Sequence, residues 1–269
     1  MCSSDLMGAS SALTGLETQT TIEIRSENRT FMDTSNIKTD KFALRADKLT
    51  KTVTSPEGAL TILDQVSLQV SPGERVAIIG ASGAGKSTLL GLLAGLDLPT
   101  SGQVWLGEHE LTSLDEDGRA AVRADEVGIV FQSFHLIPSL TALENVMLPL
   151  ELAHHKSPRE AAELALQGVG LGQRSGHYPR QLSGGEKQRV AIARAYVIQP
   201  TVLFADEPTG NLDAQTGEKV IEILFRMNKE YGTTLVLVSH DLELAQRCDR
   251  IIRMDAGHIR STETAEAAA

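Results

Sequence analysis

The sequence predicts an α/β fold built on a mainly parallel β-sheet. An apolar segment, residues 75–80, runs directly into a glycine-rich loop and then into the helical pattern of residues 86–96. Between residues 201 and 254, apolar strand-like segments alternate with amphipathic segments, a pattern typical of parallel sheets. The amphipathic stretch at about 133–190 predicts a helical subdomain inserted between two strands.

The composition excludes some classes of function. A chain of 269 residues with 41% hydrophobic residues can bury a sizeable core. Its net charge of -10 argues against a nucleic-acid partner, because such proteins present a basic face to phosphates. Two cysteines, Cys2 and Cys248, are too few for a disulfide framework, which predicts a reducing compartment such as the cytosol. The apolar window 76–98 contains a lysine and five glycines, so we expect no direct membrane insertion.

Shifts in composition predict the domain limits. Residues 1–40 are rich in Ser, Thr, Asn and Asp without a sustained period, and we expect them to form a disordered N-terminal extension. Residues 41–262 are predicted to form the folded domain, beginning with two segments that alternate apolar and polar residues as half-buried strands do. Residues 263–269 are predicted to be a frayed tail.

The segment GASGAGKST, residues 80–88, has the spacing of a phosphate-binding P-loop, and it lies between an apolar strand and a helix as that motif requires. Its glycines permit backbone conformations in which successive N–H groups converge on a phosphate. Lys86 would bridge the β- and γ-phosphates, and the Ser87 hydroxyl would be a ligand of Mg²⁺. A flexible turn is the alternative that this context disfavours. The nucleotide-binding residues predicted here are Gly80, Ser82, Gly83, Gly85, Lys86, Ser87 and Thr88.

Two adjacent carboxylates, Asp206 and Glu207, follow a second apolar strand, at the sheet edge where ligands bind in open α/β folds. Asp206 would hold Mg²⁺, which leaves Glu207 free to orient and deprotonate an attacking water. Alone, the pair could equally be acidic residues at a helix N-terminus. The P-loop upstream favours the catalytic interpretation.

Residues 182–188, LSGGEKQ, resemble the signature sequence of the ATP-binding-cassette (ABC) ATPases, and the resemblance extends over about residues 42–260. It implies the ABC ATPase form of the P-loop NTPase fold, with a RecA-like core sheet, an antiparallel β-subdomain and an inserted helical subdomain. It also implies a homodimer in which Ser183 and Gly185 contact a nucleotide held by the facing copy's P-loop. Without the resemblance, Ser183 and Glu186 could simply form a capping box.

Three further positions resemble family motifs. Gln132 is similar to the glutamine that contacts Mg²⁺ or the attacking water, His240 to the histidine that contacts the γ-phosphate, and Asp213 to an aspartate at the dimer interface. The resemblance therefore implies an ATP hydrolase that uses ATP and Mg²⁺. Its catalytic residues would be Glu207, His240 and Gln132, and its metal ligands Ser87, Gln132 and Asp206.

Within the family, the segments at 95–104, 131–152 and 206–213 resemble the ATPase subunits of lipoprotein-releasing, macrolide-export and FtsE-like complexes, and most of all the YbbA-type subunits. This implies a separately encoded transmembrane permease as partner. It also implies a peripheral position at the cytoplasmic face of the inner membrane, and work in export or on lipoproteins or the envelope. An FtsE-like regulator that performs no transport is the alternative. A small-molecule P-loop kinase would give no role to the signature or to His240.

One position departs from the family pattern. Relatives commonly carry an aromatic residue in the first strand region that stacks on adenine, and the corresponding residue here is Val53. The departure puts tight and base-selective nucleotide binding in doubt.

The loop 133–140 is expected to receive a cytoplasmic helix of the permease through Phe134, Leu136, Ile137 and Leu140, with packing inside the helical subdomain as the alternative.

Overall fold

The computed structural model describes residues 42–55 and 58–264. The predicted extension 1–40 and residues 265–269 of the predicted tail lie outside the described residues. The strands are β1 (Leu44–Ser55), β2 (Gly58–Val70), β3 (Arg75–Gly80), β4 (Ser101–Leu106), β5 (His109–Glu110), β6 (Val127–Phe131), β7 (Val202–Asp206), β8 (Thr234–Ser239), β9 (Arg250–Asp255) and β10 (His258–Thr264). The helices are α1 (Lys86–Leu93), α2 (Glu116–Glu126), α3 (Ala142–Leu152), α4 (Pro158–Gly168), α5 (Gly184–Tyr196), α6 (Ala214–Tyr231) and α7 (Leu242–Gln246).

The central sheet has six strands in the order β10-β9-β3-β8-β7-β6, and every pair except the β9–β10 hairpin is parallel. Its middle strands are almost wholly apolar, and all six residues of β8 are buried. Such continuous apolar strands are expected where helices or a second sheet cover both faces of a parallel sheet. The predicted mainly parallel α/β fold is confirmed.

A second sheet is antiparallel, with the strand order β2-β1-β4-β5. Its inward residues pack with α1 against one face of the central sheet, in a core that contains Leu44, Leu63, Ile78, Leu89 and Phe204. This sheet corresponds to the antiparallel β-subdomain that the resemblance implied. Its β1–β2 hairpin lies beside the P-loop, because a Cβ atom added to Gly85 would meet the Leu63 side chain.

The helical block contains α3, α4 and the start of α5, which share a core with the other face of the central sheet. A full capping box at Thr141 and Glu144 begins α3. The helix α5 passes residue 190, where the subdomain was expected to end, because Val190, Ile192 and Ala193 continue the buried face. No helix in the described ranges is long and apolar enough to cross a membrane.

The strand β10 includes the first two residues of the segment that was expected to fray. Glu263 and Thr264 pair with Ile251 and Arg250 of β9, and the Glu263 carboxylate accepts a hydrogen bond from Arg253 Nε at 2.7 Å. The strand pairing and the ion pair explain why order extends past residue 262.

Candidate active site

Four neighbouring parallel strands end at or just before the predicted site residues, which therefore lie along one edge of the sheet. In spatial order, β3 ends at the P-loop, β8 precedes His240, β7 ends at Asp206, and β6 precedes Gln132. Because the carboxyl ends of parallel strands meet at the same edge, residues far apart in sequence are brought to one crevice. The topology therefore brings the four motifs to the same edge of the sheet.

Glycines shape the P-loop. Gly83 and Gly85 have φ angles of 81° and 93°, in the left-handed region that side chains disfavour. A Cβ atom on Gly85 would lie 2.8 Å from Leu63 Cδ2, and one on Gly80 would lie 2.3 Å from a carbonyl oxygen of β9. The loop can follow this path only with glycine at these positions, and α1 begins directly after it, with its positive end toward the loop.

Lys86 is largely buried, and its ammonium group is bound by the loop itself. Its Nζ atom donates hydrogen bonds to the carbonyl oxygens of Gly80 and Ala81 at 2.9 and 3.0 Å. The ammonium charge is thus fixed above the same loop whose N–H groups would hold phosphates. This arrangement suits the binding of a polyphosphate.

A cleft of about 470 Å³ opens over the P-loop. The cleft is lined by Glu207, His240 and most of the predicted P-loop residues. Three predicted residues do not line it: Gly80, Asp206 and Gln132. Ile62 of β2, which was not predicted from the sequence, forms an apolar wall of the cleft. The full lining is Ile62, Ser82, Gly83, Gly85, Lys86, Ser87, Thr88, Glu207 and His240.

Asp206 and Ser87 supply two oxygen atoms suited to Mg²⁺. The Ser87 hydroxyl donates to Asp206 Oδ1 at 3.3 Å. Burial raises the pKa of Asp206 above its ordinary value, and the neighbouring Glu207 raises this pKa further, while Ser87 and Lys86 oppose the shift. A half-buried carboxylate of this kind gains from a cation, and Mg²⁺ favours carboxylate, hydroxyl and phosphate oxygens. These residues therefore fit the metal that the family implies.

Glu207 faces the cleft from an unusual backbone conformation. Its φ angle is 45°, which is uncommon for a residue with a side chain, and its N–H donates to the Val238 carbonyl at 2.9 Å. The carboxylate Oε2 lies 3.4 Å from His240 Nδ1. The His240 side chain is 72% exposed, and that of Glu207 is 25% exposed. The two candidate catalytic groups are therefore in contact, with the histidine on the open side.

Gln132 is half-buried and lies against the turn that follows Glu207. Its carbonyl oxygen accepts a hydrogen bond from Asn211 Nδ2 at 3.0 Å. A Cβ atom on Gly210 would lie 2.6 Å from Gln132 Nε2 and 3.3 Å from Glu207 Oε2. The amide and the carboxylate therefore flank the same glycine. Neither Gly210 nor Asn211 could be predicted from the sequence, because only the folded chain brings them to Gln132.

The signature residues lie at the N-terminus of α5, and neither Ser183 nor Gly185 is among the lining residues of the cleft. The capping box is present, since Ser183 Oγ accepts from the Glu186 N–H and Glu186 Oε2 accepts from the Ser183 N–H. Gly185 is buried against α6, where a Cβ atom would lie 2.2 Å from Thr216 Cγ2. Asp213 caps α6 by accepting from the Thr216 N–H at 3.0 Å. The signature and Asp213 therefore form one surface, apart from the P-loop of the same chain.

The loop 133–140 is held by hydrogen bonds from two side chains to its carbonyl oxygens. Asn145 is fully buried, and its Nδ2 donates to three carbonyl oxygens between residues 137 and 141. Arg194 donates to the carbonyl oxygens of Phe134 and His135. Leu136 packs against the core, while Ile137 is 37% exposed.

An apolar groove of about 240 Å³ lies beside this loop, and none of the four predicted docking residues lines it. The edge strand β6 and the helices α2, α3 and α5 form the groove instead. Leu152, at its rim, is 72% exposed. The lining residues are Arg123, Ala124, Val127, Gly128, Ile129, Leu148, Pro149, Leu152, Arg194, Ala195 and Ile198.

Val53 is half-buried in β1, directly opposite Leu60 of β2. The two residues share a face of the β1–β2 hairpin. Ile62, two residues further along β2, lines the cleft. Val53 therefore lies in the hairpin that supplies the apolar wall of the cleft.

The fold and this site define a P-loop nucleotide-binding protein of the α/β class. The family described as "ABC transporter" matches residues 63–210, which is more than half of the chain. The chain belongs to the ABC transporter family, as its ATP-binding cassette. It is an ABC-type ATPase, with ATP and Mg²⁺ as substrate and metal cofactor.

Two curated relatives and one solved structure illustrate the similarity. The uncharacterized ABC transporter ATP-binding protein YbbA of Escherichia coli (strain K12) is 55% identical over 79% of this chain and 94% of its own length. The lipoprotein-releasing system ATP-binding protein LolD of Pseudomonas syringae pv. tomato is 45% identical over 82% of this chain and 98% of its own length. The dimeric ATP-binding cassette MJ0796, bound to ADP and Pi, is 40% identical with a TM-score of 0.78, covering 83% of this chain and 99% of that one.

Proposed function

We propose that this chain is the ATP-hydrolysing subunit of a membrane transport complex, working as two copies on a separately encoded transmembrane permease. The observation that carries the proposal is the division of the site. The P-loop, Glu207 and His240 share one cleft, whereas Ser183 is exposed elsewhere, at the N-terminus of α5, with Gly185 buried behind it. Two copies facing each other would bring the N-terminus of α5 of each onto the cleft of its partner.

In this proposal the residues of one chain bind the nucleotide and prepare the water. Lys86 and the loop N–H groups bind the phosphates. Glu207 takes a proton from a water held near Gln132 as the water oxygen attacks the γ-phosphorus, and the bond from that phosphorus to the β–γ bridging oxygen breaks to release ADP. His240 would donate to the γ-phosphate oxygens from the open side. Ser87, Asp206 and Gln132 would hold Mg²⁺, which would supply positive charge beside the phosphates.

The facing copy would complete the site through α5. Ser183 Oγ accepts from the Glu186 N–H, and its hydroxyl proton, which the Glu186 carboxylate accepts within one chain, would turn to a phosphate when the facing copy brings one. The first turn of a helix also leaves N–H groups without a carbonyl partner in that helix. A γ-phosphate is therefore a fitting ligand for this helix end. The dimeric state of the similar cassette MJ0796 supports two copies.

The apolar groove beside β6 fits a cytoplasmic helix of the permease. Its walls carry Val127, Ile129 and Leu148, and the exposed Leu152 lies at the rim. Arg194 links the groove to the site, because it lines the groove and also holds the loop that follows Gln132. We place the docking site in this groove rather than on the loop residues expected from the sequence. It would hold the chain at the cytoplasmic face of the inner membrane.

The LolD relative is named as part of a lipoprotein-releasing system. This name supports a role for the proposed complex in export, or in processes that involve lipoproteins or the cell envelope. The test is co-purification with the membrane protein encoded by the neighbouring gene. Leu152→Glu places a charge at the rim of the groove and is expected to abolish co-purification. Leu164→Glu is the control, since Leu164 is 54% exposed on α4 and is not a lining residue of the groove. Retention of the partner by Leu152→Glu, with thermal unfolding unchanged, would place docking elsewhere.

A further inference from the structure

The helix end assigned to phosphate binding carries an acidic residue. Glu186 lies in the first turn of α5, and its carboxylate accepts a hydrogen bond from the Ser183 N–H at 2.8 Å. Its side chain is only 19% exposed. The hydrogen bonds from Ser183 are the leading cause of a pKa below the usual glutamate value, so the group is ionised at neutral pH.

This charge conflicts with the role of the helix end. A carboxylate in the first turn suits a helix dipole, but it repels any anion that approaches the same N–H groups. In the proposed function that anion is the γ-phosphate held by the facing copy. The charge of Glu186 therefore has to be offset nearby if the helix end is to remain attractive to phosphate.

Arg174 is placed to offset it. Its Nε lies 3.2 Å from Glu186 Oε1 in an ion pair, and its Nη1 donates to His177 Nε2 at 3.1 Å. Arg174 ends a short 3₁₀ turn between α4 and α5, and its backbone N–H donates to the carbonyl of the buried Leu171. The guanidinium therefore contacts both the Glu186 carboxylate and the His177 ring.

A second cation, Arg189, also lowers the pKa of this carboxylate through its charge, but its hydrogen bonds go to carbonyl groups. Arg189, one turn further along α5, donates to the carbonyl oxygens of Gly185 and Val169 at 3.4 and 3.3 Å. Among the described residues, Arg174 is the basic side chain recorded in an ion pair with Glu186. It makes this contact while 50% of its side chain remains exposed.

We propose that Arg174 is a positioning residue for ATP-driven dimerisation, one that holds the Glu186 carboxylate in its capping geometry and offsets its charge, so that the N-terminus of α5 can receive the γ-phosphate of the facing copy. This rests on the proposed function. It assigns a role to a residue outside the recognised motifs and explains how an acidic signature remains compatible with phosphate binding.

The test is a double-mutant cycle in the slowly hydrolysing Glu207→Gln chain. The dissociation constant of the Mg-ATP-bound dimer is measured by sedimentation. Arg174→Gln is expected to weaken the dimer by about fivefold, an ordinary size for a charge effect at a helix end, and the loss should shrink in high salt. Arg159→Gln, which removes the same charge from a pair with Glu163 on α4, should leave the constant within about twofold.

The decisive arm adds Glu186→Gln, which keeps the capping box because glutamine serves at that position. With the carboxylate gone, Arg174→Gln is expected to have almost no effect. An equal loss with and without Glu186→Gln would show that Arg174 acts by packing alone and would overturn the proposal, as would no loss at all. A parent chain that stays monomeric with bound ATP overturns the proposed dimer, and the role of Arg174 with it.

Discussion

Glu207 and His240 meet in the cleft at 3.4 Å, with the glutamate next to the Asp206–Ser87 pair. Replacement of Glu207 by glutamine preserves size and removes the base. We expect Mg-ATP binding to persist and hydrolysis to slow by at least ~100-fold, since a positioned general base contributes roughly 10²–10⁴-fold. Phosphate release measures the rate, with Glu222→Gln on the exposed face of α6 as the matched control. Near-normal turnover of the Glu207 variant would remove this residue from the base role.

Val53 bears on base selectivity. A branched aliphatic side chain keeps some apolar contact with a base but loses ring stacking, which is worth about 1–3 kcal/mol. The phosphate contacts are common to all nucleoside triphosphates. We therefore expect GTP to be used within roughly tenfold of ATP, and Val53→Tyr to tighten ATP binding by about fivefold.

A fluorescent-nucleotide titration measures both effects. Thr54→Tyr is the control, because neighbouring residues of a strand point to opposite faces. If the unmodified chain prefers ATP by about a hundredfold, or if Val53→Tyr changes nothing, adenine is read elsewhere in the cleft.

At the scale of elements, the sequence predicted the parts of the site whose signals are local. The β3–loop–α1 unit needed only an apolar run, spaced glycines and a lysine, and β7 was predicted from four apolar residues that end at paired carboxylates. Even the N-terminus of α5 was visible as a capping box. These elements form where they were expected because local propensity and burial agree.

What the sequence could not predict depends on contacts between distant segments. The groove is built from β6, α2, α3 and α5, so no single stretch carries its pattern, and the most apolar loop nearby was predicted instead. Gly210 leaves room for the Gln132 amide and the Glu207 carboxylate, which follow two different strands and meet beside it only in the folded chain. The pairing of Arg174 with Glu186 likewise joins two segments through tertiary packing. Periodicity cannot report such contacts.

For the whole molecule, we expect dimerisation to depend on the bound nucleotide. The chain carries a net charge of -10, so two copies repel each other. In the proposed dimer, the phosphate-binding helix ends would supply attraction that offsets this repulsion. A γ-phosphate would bridge the P-loop of one copy and α5 of the other, and ADP alone lacks that group.

The most direct test is the mass in solution of the Glu207→Gln chain, measured by light scattering with Mg-ATP and with Mg-ADP. We expect a dimer with ATP and a monomer with ADP. Adding Ser183→Asp should keep the chain monomeric with ATP bound, since aspartate still caps α5 but sets a negative charge against the phosphate. Ser157→Asp, at the N-terminus of α4, is the control and should dimerise normally. A chain that binds ATP yet stays monomeric, or a dimer indifferent to Ser183→Asp, would contradict a site shared between two copies.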